Sequence, residues 1–540
     1  MAVKDLSRRT FLAGSAAAGG TAALHRAATA AAAETGPHDC LPAPPAKDIG
    51  PHDPRYAELN ARGYNGRFSG HPESIRLVHR ADHVVSAVDQ ALRTRRRIVV
   101  RSGGHCFEDF VDDPAVQVLV DVSEMKSVRY DPAHRAFAIE SGATLQDVYR
   151  TLYLGWGVTI PAGACPSVGA GGHIAGGGYG GLSRHHGLVA DHLHGVEVVV
   201  ADRRGRARLV LATRDPADPH HDLWWAHTGG GGGNFGIVTR YLMRSPGARG
   251  ADPTTLLPRP PATLRSLTIG WSWADMTESA FVQILRNHGS WHEKESGTAS
   301  RYAPLSSWLI LSHRASGRFT LVANVDGSLP HGRKLLDEYV TAITANTGVR
   351  HDTEESTTPW MKSTLTADPY AGGRYPFKAK AALLRTAWTR KQIRTLHRYL
   401  TRGGDEHQAS AVYLSTLGGR INTVPATATA IPHRDCLFSA TYETSWWPGV
   451  DGDAQLTWVR DLYRDVYADT GGVPVPGAAN GGAYINYPDT DLTDPRWNTS
   501  GVPWHTLYYR DNYPRLQRVK ARWDPANVFR HAMSVRPPAP

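Results

Sequence analysis

The chain has 540 residues, 41% hydrophobic and 20% charged, enough for two or more domains around a large core and unlike a disordered or fibrous composition. Its formal net charge is +10, part of it on Lys4, Arg8, Arg9 and Arg26; no basic run or basic-aromatic stripe follows, which argues against a nucleic-acid partner. The cysteines, Cys40, Cys106, Cys165 and Cys436, contain no C-x-x-C pair, too few for a disulfide-stapled scaffold and wrong for a zinc site.

The chain opens on Ser7-Arg8-Arg9-Thr10-Phe11-Leu12, an apolar stretch to Leu24 and small residues through Ala33. Twin arginines before a mildly apolar segment and an Ala-rich cleavage region predict a twin-arginine export signal over residues 1–33, and so secretion. Such export carries folded proteins, which suits a chain that first receives a cofactor in the cytoplasm. No later segment reaches about 18 continuous apolar residues, so no membrane span is expected. Residues 34–55 read as a Pro- and Asp-rich lead-in. The spacing of Val84, Val85, Val88, Ala91 and Leu92 behind Asp82, a capping residue, predicts a helix over 82–96. Ile98-Val99-Val100 reads as a strand running into Arg101-Ser102-Gly103-Gly104-His105. Further strands are expected at 116–122, 136–140, 196–200, 208–211 and 237–242, and a helix at 145–154. This mixture is an α+β domain. Pro, Gly and Arg gather at 244–261 and mark a domain boundary. Residues 262–480 then alternate strand-like runs (308–312, 319–325) with helical ones (333–346, 391–401, 453–467). Trp271, Trp273, Trp388, Trp446 and Trp447 of this stretch read either as an aromatic wall for a large ligand or as core packing.

Two motifs carry chemistry. A strand ending in Gly103-Gly104 can turn tightly and present successive N–H groups, as an anion nest or a plain turn. It is neither a Walker loop nor a G-x-G-x-x-G fingerprint, so ATP and nicotinamide lose support. The second motif runs from Pro161 to Gly181, with eight glycines between Gly169 and Gly181. Such a stretch is costly in chain entropy. Lining a flat cofactor with backbone is one reason for it; a linker is the other, although linkers are seldom so apolar. His105 offers an imidazole and Cys165 a thiol, the groups needed to bond a flavin ring at two points. His185-His186 and His220-His221 read as surface pairs rather than metal ligands, because neighbouring residues rarely face one ion together.

These segments resemble the FAD-linked oxidoreductases related to berberine bridge enzyme, within the vanillyl-alcohol-oxidase-type FAD-binding superfamily. The resemblance rests on R-S-G-G-H at 101–105, G-x-C-P-x-V-G-x-G-G-H at 163–173, the Gly-rich segment at 224–239, Y-x-N-Y-x-D at 484–489 and D-P-x-N-x-F at 524–529. Residues 101–110 and 497–509 add a likeness to secreted actinomycete members that tailor antibiotics. The resemblance implies a two-part FAD-binding domain, residues 45–245 and 486–540. Between the parts it places a substrate-binding domain, 246–485, of antiparallel sheet covered by helices. It implies FAD bonded covalently to His105 through the flavin 8α carbon and to Cys165 through C6. The implied cofactor contacts from the first motif are Arg101, Ser102, Gly103 and Gly104. Those from the second are Val168, Gly169, Gly172, His173 and Gly176, followed by Gly236, Ile237, Val238 and Asn527.

It implies Tyr487 as the base that takes a hydroxyl proton, Tyr179 as its hydrogen-bonding neighbour and Tyr484 as a stand-in. Read alone, either main tyrosine has aromatic packing as its alternative role. His173 is implied beside the flavin N1–C2 carbonyl side. Val168, small and facing the ring, leaves room for dioxygen and so implies an oxidase that makes hydrogen peroxide. The implied substrate is a small molecule with bulky ring or sugar groups, a glycosylated or polyketide-type secondary metabolite. The alternative is an oligosaccharide oxidised to a lactone at its reducing end, and a third reading is an exported flavin-binding protein without turnover. With Cys165 on the flavin, at most one disulfide is expected among Cys40, Cys106 and Cys436. The oligomeric state stays open.

Overall fold

Three β-sheets organise the chain in a computed structural model that describes residues 44–365 and 374–538. The expected export signal and Cys40 lie outside the described residues. The strands β1 (Lys47–Ile49), β2 (Ser74–Leu77), β3 (Ile98–Arg101) and β4 (Val118–Asp121) form a sheet in the order β1-β2-β4-β3, with β4 parallel to both β2 and β3. Parallel neighbours need a crossover, and the helix Ala81–Thr94 supplies one, burying Val84, Ala87, Val88 and Ala91. Asp82, expected as its cap, instead sits in the first turn and pairs with Arg80 at 2.7 Å. The chain enters the helix one residue earlier, through extended backbone at Arg80.

The second sheet joins β5 (Val128–Asp131), β6 (Ala136–Glu140), β7 (Leu193–Ala201), β8 (Ala207–Thr213) and β9 (Ile237–Met243) in the antiparallel order β5-β6-β9-β7-β8. Between β6 and β7 the helix Leu145–Trp156 starts at a capping box. Asp147 N–H donates to Thr144 Oγ1 at 3.2 Å, and Thr144 N–H donates to Asp147 Oδ2 at 3.0 Å, which satisfies two donors that the first helical turn leaves open.

The third sheet is antiparallel throughout and has eight strands, β10 (Thr263–Ser272), β11 (Ser306–Ser312), β12 (Arg318–Asp326), β13 (Asp352–Pro359), β14 (Phe377–Leu384), β15 (Ala411–Thr416), β16 (Phe438–Ser445) and β17 (Asn480–Gly482). Their order is β13-β10-β12-β11-β15-β16-β14-β17. On β12 alternate residues Phe319, Leu321, Ala323 and Val325 are buried, the period of a strand with one covered face. The helices Glu278–Glu295, Gly332–Thr344, Arg390–Leu400 and Asp453–Val466 form that cover. Trp271 stacks on Phe319 and Trp273 on Phe281 within this layer. Trp388 is also buried. Core packing, not a ligand wall, is therefore the role of these three.

The C-terminal helix Tyr513–Trp523 is fastened to the second Gly-rich segment by a buried pair. Lys520 Nζ donates to Asp524 Oδ2 at 2.7 Å, to the Asn234 carbonyl at 2.6 Å and to the Phe529 carbonyl at 2.5 Å. Both side chains of the pair are fully buried. Removing the cation would strand the carboxylate, so Lys520→Met is expected to lower the unfolding free energy by about 3–5 kcal/mol, read from urea melts. Among the described residues no helix is long and apolar enough to cross a membrane.

Candidate active site

The two chemistry-bearing motifs meet backbone to backbone. Gly103 and Gly169 lie so close that a Cβ on either would collide with the other's main chain. Gly104 has φ +75°, and a Cβ there would stand 2.5 Å from the Arg62 carbonyl oxygen, so this turn requires glycine. Ser102 Oγ donates to the Ser141 carbonyl at 2.6 Å. The Arg101 guanidinium is committed elsewhere: it grips Asp121 at 2.7 Å and the Leu59 carbonyl at 2.5 Å. What Arg101 gives the site is an anchored strand end.

That junction aims two reactive side chains at one serine. His105 Nε2 lies 3.1 Å from Ser167 Oγ, and Cys165 Sγ lies 3.6 Å from the same oxygen. His105 also stacks on Tyr64, with ring centroids 4.1 Å apart. Burial pushes the thiols of Cys106 and Cys436 up to about 12, which makes them poor nucleophiles. Neither is in a disulfide, so a disulfide, of which at most one is expected among Cys40, Cys106 and Cys436, does not join these two.

Around the junction opens a cavity of about 860 Å³, within the range of ligand sites. Its lining includes Ser102–Gly104, His105, Cys165, Val168, Gly169, Gly172, His173, Gly236, Val238, Tyr179 and Tyr487 from the expected set. Three expected contacts stand elsewhere. Gly176 is packed behind the wall against the Asn486 side chain, leaving no room for a Cβ. Ile237 is fully buried in the hydrophobic core beneath β9. Asn527 adopts a left-handed turn with φ 51°, shaped by Asp524, whose carboxylate accepts the N–H groups of Val528 and Phe529. The residues after that turn, Phe529, Arg530 and His531, reach the cavity instead.

The C-terminal motif closes one wall. Asn486 Nδ2 donates to the His173 carbonyl at 3.0 Å and to Tyr484 Oη at 2.9 Å, and Gly178 N–H donates to Tyr484 Oη at 3.0 Å. Tyr484 therefore braces the glycine loop. Tyr179 Oη lies 3.2 Å from Tyr487 Oη and 3.0 Å from Ser439 Oγ. Burial raises the pKa of both phenols, that of Tyr487 well above 10. His173 Nε2 accepts the Gly163 N–H at 3.3 Å, which leaves the ring proton on Nδ1. Burial holds His173 down to about 4, so it is a neutral donor.

The opposite wall is the open face of the eight-stranded sheet: Ser306 and Trp308 of β11, Asn324 of β12, Tyr413 and Ser415 of β15, Thr441 and Glu443 of β16. Trp308 and Tyr413 stack with centroids 5.6 Å apart. These, with Tyr64 and His531, are among the lining residues the sequence motifs did not mark. Their signal in sequence is the alternation of the strands, which says that they share a face but not what that face meets. The His220–His221 pair serves backbone: His220 Nδ1 lies 3.0 Å from the Leu211 carbonyl and His221 Nδ1 3.3 Å from the Thr213 carbonyl.

Residues 72–205 match the family of FAD binding domains, and residues 483–536 match the berberine and berberine-like family. The chain is 51% identical over 545 residues to the aclacinomycin-N/aclacinomycin-A oxidase of Streptomyces galilaeus, covering 99% of each. It belongs to the berberine-like FAD-linked oxidoreductases. The fold of this oxidoreductase superposes on the crystal structure of aclacinomycin oxidoreductase with a TM-score of 0.89 at 53% identity, over 91% of this chain and all (100%) of that one. It superposes on a glycopeptide hexose oxidase complexed with teicoplanin with a TM-score of 0.88 at 50% identity, over 92% of this chain and 100% of the other.

The enzyme is accordingly an FAD-dependent oxidase, and its cavity suits that cofactor. Gly172 has nothing within 4 Å of a notional Cβ, so bare backbone faces open space that a flat ligand would fill. Near Phe529–His531, the His531 Nε2 atom is buried with no side-chain partner, a polar group available to a cofactor.

Proposed function

We propose that this oxidase holds FAD through covalent bonds to His105 and Cys165 and oxidises a hydroxyl-bearing carbon of a sugar on a glycosylated, polyketide-type secondary metabolite. The observation that carries the reading is the convergence of His105 and Cys165 on Ser167 at the rim of a backbone-lined cavity. When bound, FAD supplies the acceptor that takes hydride from the substrate carbon and passes the electrons to dioxygen, giving hydrogen peroxide.

The chain's own residues do the rest. Tyr487 takes the hydroxyl proton as the carbon is oxidised. A phenol is a weak base at neutral pH, and Tyr179, 3.2 Å away, helps by donating a hydrogen bond to the oxygen that loses its proton. His173, neutral and with its proton on Nδ1, serves as a donor toward the negative charge that accumulates on the cofactor side. Val168 is small enough to leave dioxygen a path. Trp308 and Tyr413 form an aromatic shelf for a sugar or polyketide ring. We take residues 45–245 and 486–540 as the FAD-binding domain, 246–485 as the substrate domain, and residues 1–33 as a twin-arginine signal that sends the loaded protein out of the cell.

Two measurements bear on the substrate. A panel of free sugars, oligosaccharides and aromatic polyketide glycosides, scored for peroxide, is expected to give turnover with the glycosides; turnover confined to free oligosaccharides would replace this reading with the lactone-forming one. Trp308→Ala removes half of the shelf. At about 1–1.5 kcal/mol for a lost aromatic stack, KM for the glycoside should rise about tenfold while kcat holds, as read by steady-state kinetics.

A further inference from the structure

A group of buried charges lies just beyond the cavity wall. Lys378 and Lys380 of β14 are 1% and 2% exposed. Lys378 Nζ stands 2.5 Å from Glu108 Oε1 and 2.7 Å from Asp489 Oδ1. Lys380 Nζ stands 2.5 Å from Asp489 Oδ2 and 2.9 Å from Asp491 Oδ2. Arg460, from the helix Asp453–Val466, closes the set at 2.9 Å from Asp491. Three cations thus face three carboxylates. Apolar residues of equal volume often stabilise a fold as well or better, so stability alone does not account for the cluster.

What it joins does. Glu108 follows His105 by three positions, and Asp489 follows Tyr487 by two. Glu108 also accepts hydrogen bonds from Thr490, Oγ1 at 3.2 Å and N–H at 3.4 Å. A row of rings runs alongside. His105 stacks on Tyr64; Tyr64 meets Phe377 edge-on at 5.4 Å; Phe377 meets Phe107 edge-on at 5.1 Å; Phe107 lies flat on Tyr487 at 5.2 Å and 5°. Asn65 fastens the row. Its Nδ2 donates to the carbonyls of Phe107 at 2.8 Å and Phe377 at 3.1 Å, and its Oδ1 accepts the Phe377 N–H at 3.2 Å.

We propose that Glu108, Lys378 and Asp489 are positioning residues, a clasp that fixes the Tyr487 phenol relative to the His105 imidazole and so sets the base at a constant distance from the cofactor's attachment point. The inference rests on the reading of Tyr487 as the base. Ionic contacts suit the task because any slide of the 487–491 loop along the 105–108 segment would leave a carboxylate unpaired in the interior. An apolar contact would tolerate such a slide.

The test is the charge-balanced pair Glu108→Gln/Lys378→Met, which leaves two cations against two carboxylates. Three properties are read on the purified holoenzyme: the thermal melt, the fraction of chains bearing an adduct at His105 and at Cys165 by peptide mass mapping, and the anaerobic bleaching rate at saturating glycoside. The clasp predicts a folded protein that keeps the Cys165 adduct and has a reduced His105 fraction. It also predicts bleaching slower on the order of 10²-fold, the cost of misplacing a reacting group by about 1 Å, with KM unchanged. Glu108→Gln alone, which keeps the side-chain shape, should show smaller changes in the same direction, and decides the matter by the same criteria if the pair fails to fold. A variant with a lower melting point but wild-type adduct fractions and bleaching would reduce the clasp to fold support. Should Tyr487→Phe prove harmless, the reading of the base fails, while the His105 fraction still judges the clasp.

Discussion

If FAD is bound as proposed, changing Cys165 to alanine should leave an acid-precipitated pellet yellow, changing His105 to alanine should do the same, and changing both should send all FAD into the supernatant. This outcome follows from geometry. The two side chains approach Ser167 Oγ from separate segments, at 3.6 Å and 3.1 Å, and neither needs the other to reach the cavity wall. Each bond by itself is enough to survive denaturation. A second effect follows from fixing the ring twice. Each proposed link would withdraw electron density and restrict the ring, so each single variant should have a lower reduction potential than the wild type, read by dye equilibration, and slower bleaching by substrate. The Cys165→Ala variant separates attachment from folding, because Cys165 stands in the loop before the helix Ala170–Ala175 and its removal disturbs no hydrogen bond of the backbone junction between Gly103 and Gly169.

Tyr487→Phe should slow substrate-driven bleaching by about 10²–10⁴-fold, the usual worth of a positioned general base, with little change in substrate affinity. The pH profile gives the sign. Burial raises the Tyr487 phenol well above 10, and the base acts only when deprotonated, so log kcat/KM should climb with pH through the neutral range with a slope near one. The first proton leaves Tyr487 and Tyr179 as a pair, since their oxygens lie 3.2 Å apart. In Tyr179→Phe a single phenol of the pair remains, so the rising limb should shift to that of Tyr487 alone. A flat profile in the wild type would remove the phenol from the proton transfer.

The motifs that make chemistry were legible because they are local. Arg101–His105 and Gly163–His173 advertise bare backbone, an imidazole and a thiol within a few residues each, and Gly104 declares a left-handed turn. What was not legible depends on pairings across the chain. Tyr179 and Tyr487 are separated by 308 positions, and only the family resemblance, not any periodicity, implied that their oxygens meet. Trp308 and Tyr413 stack on the cavity face of the sheet, while the more numerous tryptophans Trp271, Trp273 and Trp388 are core. Residue type alone does not distinguish the two faces of one sheet. Strand β13 gave no signal because it lies at a sheet edge and exposes polar residues on both faces, which erases the alternation that marks a half-buried strand. Asn527 lies off the cavity lining for a related reason: it forms the turn, and Phe529 to His531 after it line the cavity. Gly176 and Ile237 belong to the same class, residues that shape the wall from behind.

The charge cluster at Glu108, Lys378 and Asp489 was equally hidden, since its members come from segments that sequence places about 110 to 380 positions apart. The proposed clasp gives this buried charge a role: the ionic contacts hold the segment bearing His105 against the segment bearing Tyr487.

The most direct test of the account is mass mapping of peptides from the native, cofactor-loaded protein. The account predicts one FAD per chain, found as a cross-link between the peptide containing His105 and the peptide containing Cys165. Unmodified masses for both peptides, with FAD recovered free in solution, would contradict it.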